Sequence, residues 1–150
     1  MHISTLNHFL NHKNVKFKQE IVDGETFTII SYMIADPKFW QIPDAIECRG
    51  ITFNSSGECV SRPFHKFFNL GENDAVRVEK LNFDNASFEE KRDGSMITGI
   101  VATSGKVFLK TKKSFHSDVA VDAQKNMTKE VEYIIKDCNS KGQTAIFEYT

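Results

Sequence analysis

The chain has 150 residues, enough for one domain and too few for two joined by a linker. Hydrophobic residues make up 40% and charged residues 26%, a balance that excludes a disordered chain. With 19 Lys and Arg against 20 Asp and Glu there is no global positive field, so any nucleic-acid binding has to come from a local patch.

Ile3, Leu6, Phe9 and Leu10 recur at helical spacing and predict a short helix. From Val15 to Met33, β-rich runs on either side of Asp23-Gly24 predict a hairpin. A Pro-punctuated stretch from Asp36 to Pro43 follows, in which Phe39 and Trp40 are expected to anchor a loop to the core. Glu47 to Phe53 reads as a strand, Asn54-Ser55-Ser56-Gly57 as a turn, and Glu58 to Ser61 as the strand that pairs back. After an irregular segment from Pro63 to Asp74, the region Phe88 to Lys112 holds two turns, Asp93-Gly94 and Ser104-Gly105, each between strand-like residues, and predicts a meander. One amphipathic helix is expected from about Ser117 to Cys138, since Met127, Val131, Ile134, Ile135 and Cys138 share a face and Lys141-Gly142 stops it. The sequence ends on a strand, Thr144 to Thr150.

Strands before and after helix, joined by hairpin turns, predict an α+β fold of mostly antiparallel sheets with few helices, and disfavour a Rossmann domain. Neither a Gly-x-Gly-x-x-Gly loop nor a Gly-x4-Gly-Lys-Ser/Thr loop is present, so a nucleotide would have to be held by another device. Cys48, Cys59 and Cys138 include no Cys-x-x-Cys pair and have no histidine at zinc-finger spacing, which fits a reduced intracellular protein. The N-terminus lacks the apolar run of a signal peptide, and no run of about 18 apolar residues occurs anywhere. A soluble, cytoplasmic protein without membrane contact is expected.

The candidate nucleophile is Lys91, in Lys91-Arg92-Asp93-Gly94, expected just before a tight turn between strands. A lysine amine is almost wholly protonated at neutral pH, so neighbouring cations or a metal have to favour the free base. Arg49, Lys66, Lys110 and Lys112 are the candidates. Alternation along the strand puts Lys106, Phe108, Lys110 and Lys112 on one side, a mostly basic face that is either functional or simply solvated. Lys-x-Asp-Gly alone arises by chance in about one chain in thirty of this length.

Two upstream elements raise its weight: Glu47-Cys48-Arg49-Gly50-Ile51-Thr52-Phe53, and Arg62-Pro63-Phe64-His65-Lys66-Phe67-Phe68-Asn69-Leu70-Gly71-Glu72. In this order and spacing the chain resembles the bacteriophage T4 RNA ligase 1 family of tRNA-repair ligases, within the covalent nucleotidyltransferase superfamily. The resemblance is dense from Glu47 to Lys112, reappears at Phe147-Glu148, and is weaker before Glu47. A capping-enzyme or DNA-ligase relative would share Lys-x-Asp-Gly but would not explain Arg62 to Glu72.

The resemblance implies an ATP-grasp-like ligase fold, a nucleotidyltransferase domain in which Lys91 takes AMP from ATP as a phosphoramidate. The AMP then passes to a 5′-phosphate RNA end, and a 3′-hydroxyl displaces it. Mg²⁺ is the implied metal, with no metal-ligand set assigned to this sequence. By the same resemblance Arg49, Lys66 and Lys112 serve the phosphates and Phe68 shapes the site. Asp93 and Gly94 form the turn that aims Lys91, and Glu148 accepts a hydrogen bond from the AMP ribose. Plainer roles stay open: a structural ion pair for Arg49, a core position for Phe68, a turn former in Asp93 and a surface glutamate at Glu148. In the family the strand of Glu148 precedes a Glu-Gly element and a Lys-x-Lys strand that this sequence does not include. The expectation is therefore a partial adenylyltransferase domain over 1–150, incomplete at the C-terminus and without a second domain. It would be a monomer acting on RNA ends such as nicked tRNA, in a host cytoplasm if phage-encoded. A complementing downstream segment in trans, or a catalytically silent binding module, are the alternatives.

Overall fold

The structure, a computed structural model, describes residues 1–34 and 36–150. Its first sheet is antiparallel, with strands β1 (Val15–Val22), β2 (Glu25–Tyr32), β3 (Arg49–Phe53) and β4 (Cys59–Ser61) in that order. Asp23 and Gly24 join β1 to β2 with both φ angles positive, 53° and 80°. That is the two-residue turn whose twist matches the strands it connects, as the Asp-Gly pair predicts. One face of this sheet buries Ile30, Ile51 and Phe53 against Leu6, Phe9, Phe39, Ala45 and Cys48. The expected N-terminal helix is a 3₁₀ helix, Ile3–Phe9, that delivers Leu6 and Phe9 to this core. Phe39 is buried and Trp40 packs beside it, as expected of loop anchors.

The second sheet contains β5 (Ser95–Val101), β6 (Val107–Lys110) and β7 (Ile146–Tyr149), antiparallel in the order β6-β5-β7. Ser104-Gly105 forms the expected hairpin between β5 and β6. Asp93-Gly94 does not form one: Phe88 to Asp93 is irregular and exposed, and β5 begins only at Ser95. The expected single helix is two, α1 (Asp118–Lys125) and α2 (Lys129–Ser140). The Thr128 hydroxyl accepts from the Val131 N–H and so caps a new helix where the apolar pattern runs on unbroken. Both helices cover one face of the second sheet, burying Ile97, Val107 and Leu109 against Ala123 and Ile135. The amide of Gln124 on α1 accepts from Leu109 N–H (2.7 Å) and donates to the Val107 carbonyl (3.3 Å), which occupies the outer edge of β6.

The opposite face of the second sheet stacks on the first. Val22, Phe27 and Ile29 meet Ile100 and Phe115, and the Ser61 hydroxyl donates to that of Thr98 at 3.0 Å. Phe108 and Lys110 share this inner face, so at these two positions the strand side expected to be basic, whether functional or solvated, points into the protein, and Lys110 is 0% exposed, while Lys106 on the same side stays exposed. The α+β class holds: two antiparallel sheets pack face to face, with helices outside the second.

A buried carboxylate ties β1 to the segment after β6. Glu20 accepts from Ser114 Oγ (2.6 Å) and Phe115 N–H (2.7 Å) and pairs with Lys18. Burial alone would raise its pKa, but these donors outweigh it and hold the carboxyl below the ordinary 4.5. Because the folded-state value is depressed, the charge contributes stability in full above pH 4.5, and that contribution is lost as pH falls through the lower folded value. Glu20→Gln should cost about 2 kcal/mol at neutral pH. Its urea midpoint should also change less than that of the wild type when pH is lowered from about 7 to about 3. An equal acid loss in both proteins would contradict this role.

Candidate functional site

At one end the two sheets part and leave a cleft of about 660 Å³. Arg49 enters it from the first sheet; Met96, Ile146 and Glu148 come from the second. Phe64, Phe67 and the run Glu89 to Arg92 close it from outside. Lys91, Arg49, Gly94 and Glu148 thus line one cavity, although the sequence spreads them from position 49 to 148.

A backbone irregularity explains how Arg49 reaches the cleft. In the β2–β3 ladder Ile51 pairs with Ile30 and Arg49 with Ser31, so Gly50 is an extra, bulged residue. In an unbroken strand Arg49 would share the face of Ile51, which lies in the apolar core. The bulge turns Arg49 to the inner face. Gly50 has φ +99°, and a Cβ there would stand 2.6 Å from the Lys112 carbonyl oxygen, so both conformation and space call for glycine. Arg49 Nη1 donates to the Phe64 carbonyl (3.2 Å) and toward Met96 Sδ (3.6 Å), and the guanidinium carbon stands 5.1 Å from the centroid of the Phe67 ring. Among the described residues Arg49 has no carboxylate partner; the structural ion pair nearby is Arg62 with Glu47, two bonds of 3.0 and 2.7 Å.

Glu148 stands opposite Met96 in the β5–β7 ladder, which sets it on the same inner face. It is exposed and faces the cleft. Gly94 has a different role from the one expected. Its φ is not in the left-handed region, but a Cβ would collide with the Tyr149 carbonyl oxygen, so glycine is needed to let β7 close onto the start of β5. Asp93 is exposed in the irregular run and is not among the residues lining the cleft.

Lys66 and Phe68 lie elsewhere. Lys66 Nζ is held by both oxygens of Glu72 (2.8 and 3.1 Å) and stands 4.6 Å from the Phe68 ring centroid, while Phe68 packs edge-on against Trp40. The extended segment sends positions 66 and 68 toward Trp40 and position 67 toward Lys91. Phe67 and Met96 are therefore cleft residues that the sequence reading did not assign. Strand parity relative to Glu148 would have found Met96; no local signal distinguishes Phe67 from Phe68. Lys112 sits beside the Gly50 bulge with Nζ 4.7 Å from the Tyr32 ring centroid. Burial first, then the charges of Lys113 and Arg49, hold it below the ordinary lysine value. Lys110, the other expected cation, is enclosed between the sheets.

Around Lys91 the cleft supplies two other cations, Arg49 and Arg92, and three carboxylates, Glu89, Glu90 and Glu148. Among the described residues no three His, Cys, Asp or Glu side chains come together to hold a metal ion. The described donors thus form no carboxylate cage for Mg²⁺. The cleft suits a ligand with anionic oxygens for Arg49, an apolar body over Met96 and Ile146, and hydroxyls for Glu148. Gly94→Ala should lower stability by about 1 to 3 kcal/mol through the collision with Tyr149, measured by urea denaturation. An unchanged midpoint would show that the β5–β7 junction has room to spare.

Residues 47–150 match the model of an RNA ligase family of the T4 RNA ligase 1 type. A Thermovibrio ammonificans protein, named provisionally as an RNA ligase, is 37% identical over 123 residues, 79% of this chain and 32% of that protein. The protein of Bacteriophage TS2126 named RNA ligase 1 is 45% identical over 51 residues, 33% of this chain and 13% of its own length. The match thus spans about a third or less of each relative. With the family model covering the segment that builds the cleft, the chain belongs to the T4 RNA ligase 1 type of RNA ligases.

Proposed function

We propose that this chain is the nucleotide-binding part, a partial adenylyltransferase domain over residues 1–150, of an ATP-dependent ligase that joins 5′-phosphate and 3′-hydroxyl RNA ends, as in tRNA repair. The observation that carries the reading is the single cleft lined by Lys91, Arg49, Gly94 and Glu148. The free amine of Lys91 forms a bond to the α-phosphorus of ATP, the bond to the bridging oxygen breaks, and pyrophosphate departs while the amine gives up a proton. A 5′-phosphate oxygen of RNA then attacks the same phosphorus, and the lysine nitrogen leaves and is reprotonated. Finally a 3′-hydroxyl attacks the RNA phosphorus, gives up its proton, and AMP departs. Each displacement is in-line, so the protein contributes mainly position and charge.

In this reading Arg49 holds phosphate oxygens with its remaining donors, since Phe64 and Met96 engage only Nη1. Glu148 accepts from the ribose. Lys112 adds positive charge beside Arg49, and Asp93 keeps the Lys91 run polar and extended. Mg²⁺ bound together with the nucleotide would supply charge neutralisation at the phosphates, beside Arg49 and Lys112. Lys66 and Phe68 join the site only if the Lys66–Glu72 pair opens, with phosphate replacing the carboxylate.

A second reading, that a downstream segment completes the site in cis or in trans, is favoured by the run from Arg77 to Gly94, which is exposed throughout and includes Val78, Leu81, Phe83 and Phe88. Incubation with ATP labelled on the α-phosphate and Mg²⁺, with and without a separately expressed downstream segment of a relative, tests both. Label should survive a denaturing gel on the wild type, vanish in Lys91→Ala, and fall roughly 100-fold in Arg49→Ala. Labelling only when the downstream segment is added would select the second reading. Label retained by Lys91→Ala would remove the nucleophile assignment, and no label under either condition would leave a silent binding module.

A further inference from the structure

A fully buried lysine is rare, because taking an ammonium out of water costs several kcal/mol unless its donors are satisfied. Lys110, 0% exposed, meets that cost with backbone oxygens: Nζ donates to the Gly50 carbonyl at 2.8 Å and to the Thr111 carbonyl at 3.2 Å. The first of these belongs to the bulged residue that turns Arg49 toward the cleft. A bulge takes its extra residue out of the ladder and leaves its carbonyl in need of another donor. Thr52 Oγ1 supplies one at 3.1 Å and Lys110 supplies the other. The second bond fixes the residue just before Lys112, whose own carbonyl lies against Gly50. One side chain therefore fastens both backbone segments from which the cations Arg49 and Lys112 emerge. These two repel each other, and among the described residues neither has a carboxylate partner.

We infer that Lys110 is a positioning residue: it pins the Gly50 bulge and the Thr111 carbonyl, and so sets where the Arg49 guanidinium stands in the cleft. The inference rests on the nucleotide reading of that cleft. Burial pushes the Lys110 ammonium down to about 7, with Glu20 and Cys59 pulling it back up, which agrees with a lysine held by dipoles rather than by a paired carboxylate.

A double-mutant cycle on ATP affinity, measured calorimetrically with Mg²⁺ present, tests it. Lys110→Met keeps the length and apolar stem while removing the donors. It should melt cooperatively and bind ATP about tenfold more weakly than the wild type. Combined with Arg49→Ala it should add little, because a side chain that acts by aiming Arg49 has nothing left to aim. Lys110→Gln, which keeps one donor group, should fall between wild type and Lys110→Met, and it takes the place of Lys110→Met in the cycle if that variant does not fold. Wild-type affinity in the Lys110 variants, or a loss that adds fully to that of Arg49→Ala, would overturn the positioning role alone. Failure of the wild type to bind ATP would overturn the nucleotide reading and the positioning role with it.

Discussion

The structure depends on how the inner face of the second sheet meets the first. Along β5, β6 and β7 that face carries Met96, Thr98 and Ile100, then Phe108 and Lys110, then Ile146 and Glu148. It is neither an apolar core nor a solvated surface, and every polar group enclosed on it needs a partner across the gap. Thr98 takes Ser61, and Lys110 takes Gly50. Among the described residues no buried side-chain nitrogen or oxygen is left without a hydrogen bond. Where the sheets part, the same parity sets Met96 and Glu148 opposite Arg49. Packing and cleft are thus successive stretches of a single face.

Much of the architecture could be read from local signals because local chemistry decides it. Asp23-Gly24 turns because both residues tolerate positive φ, and α2 stops at Lys141-Gly142 because Gly142 takes a positive φ of 67° that ends the helix. The burial of Lys110 is not legible in the sequence, because strand alternation tells which residues share a side but not whether that side meets water or another sheet. The bulge at Gly50 was hidden because it exists only relative to β2. The glycine in Lys91-Arg92-Asp93-Gly94 reads as a turn residue, but its constraint comes from Tyr149, far along the chain. Splitting of the expected helix turned on Thr128, a capping residue set within an apolar pattern that continues past it.

Within the candidate site, Arg49, Lys91 and Glu148 stood out in the sequence because each is a charged residue in a recognisable element. The apolar partners did not. Phe67 and Met96 flank Arg49 through a ring face and a thioether, contacts that leave no motif. Lys66 shows the converse: its residue type fits phosphate, yet in this structure Glu72 already satisfies it.

The last strand is locked from behind. Tyr149 donates its hydroxyl hydrogen to Asp122 at 2.5 Å and accepts from Asn126 at 3.0 Å, at the end of α1 where the helix breaks. The cleft wall that carries Glu148 is therefore assembled from contacts between β5, β7 and the helix pair, most of them distant in sequence. Contacts of that kind close late, after local hairpins and helices have formed, because the entropy of the intervening loop has to be overcome first. During synthesis Lys91 leaves the ribosome well before Glu148 does, so an emerging chain carries Lys91 for a time without the wall that faces it across the cleft.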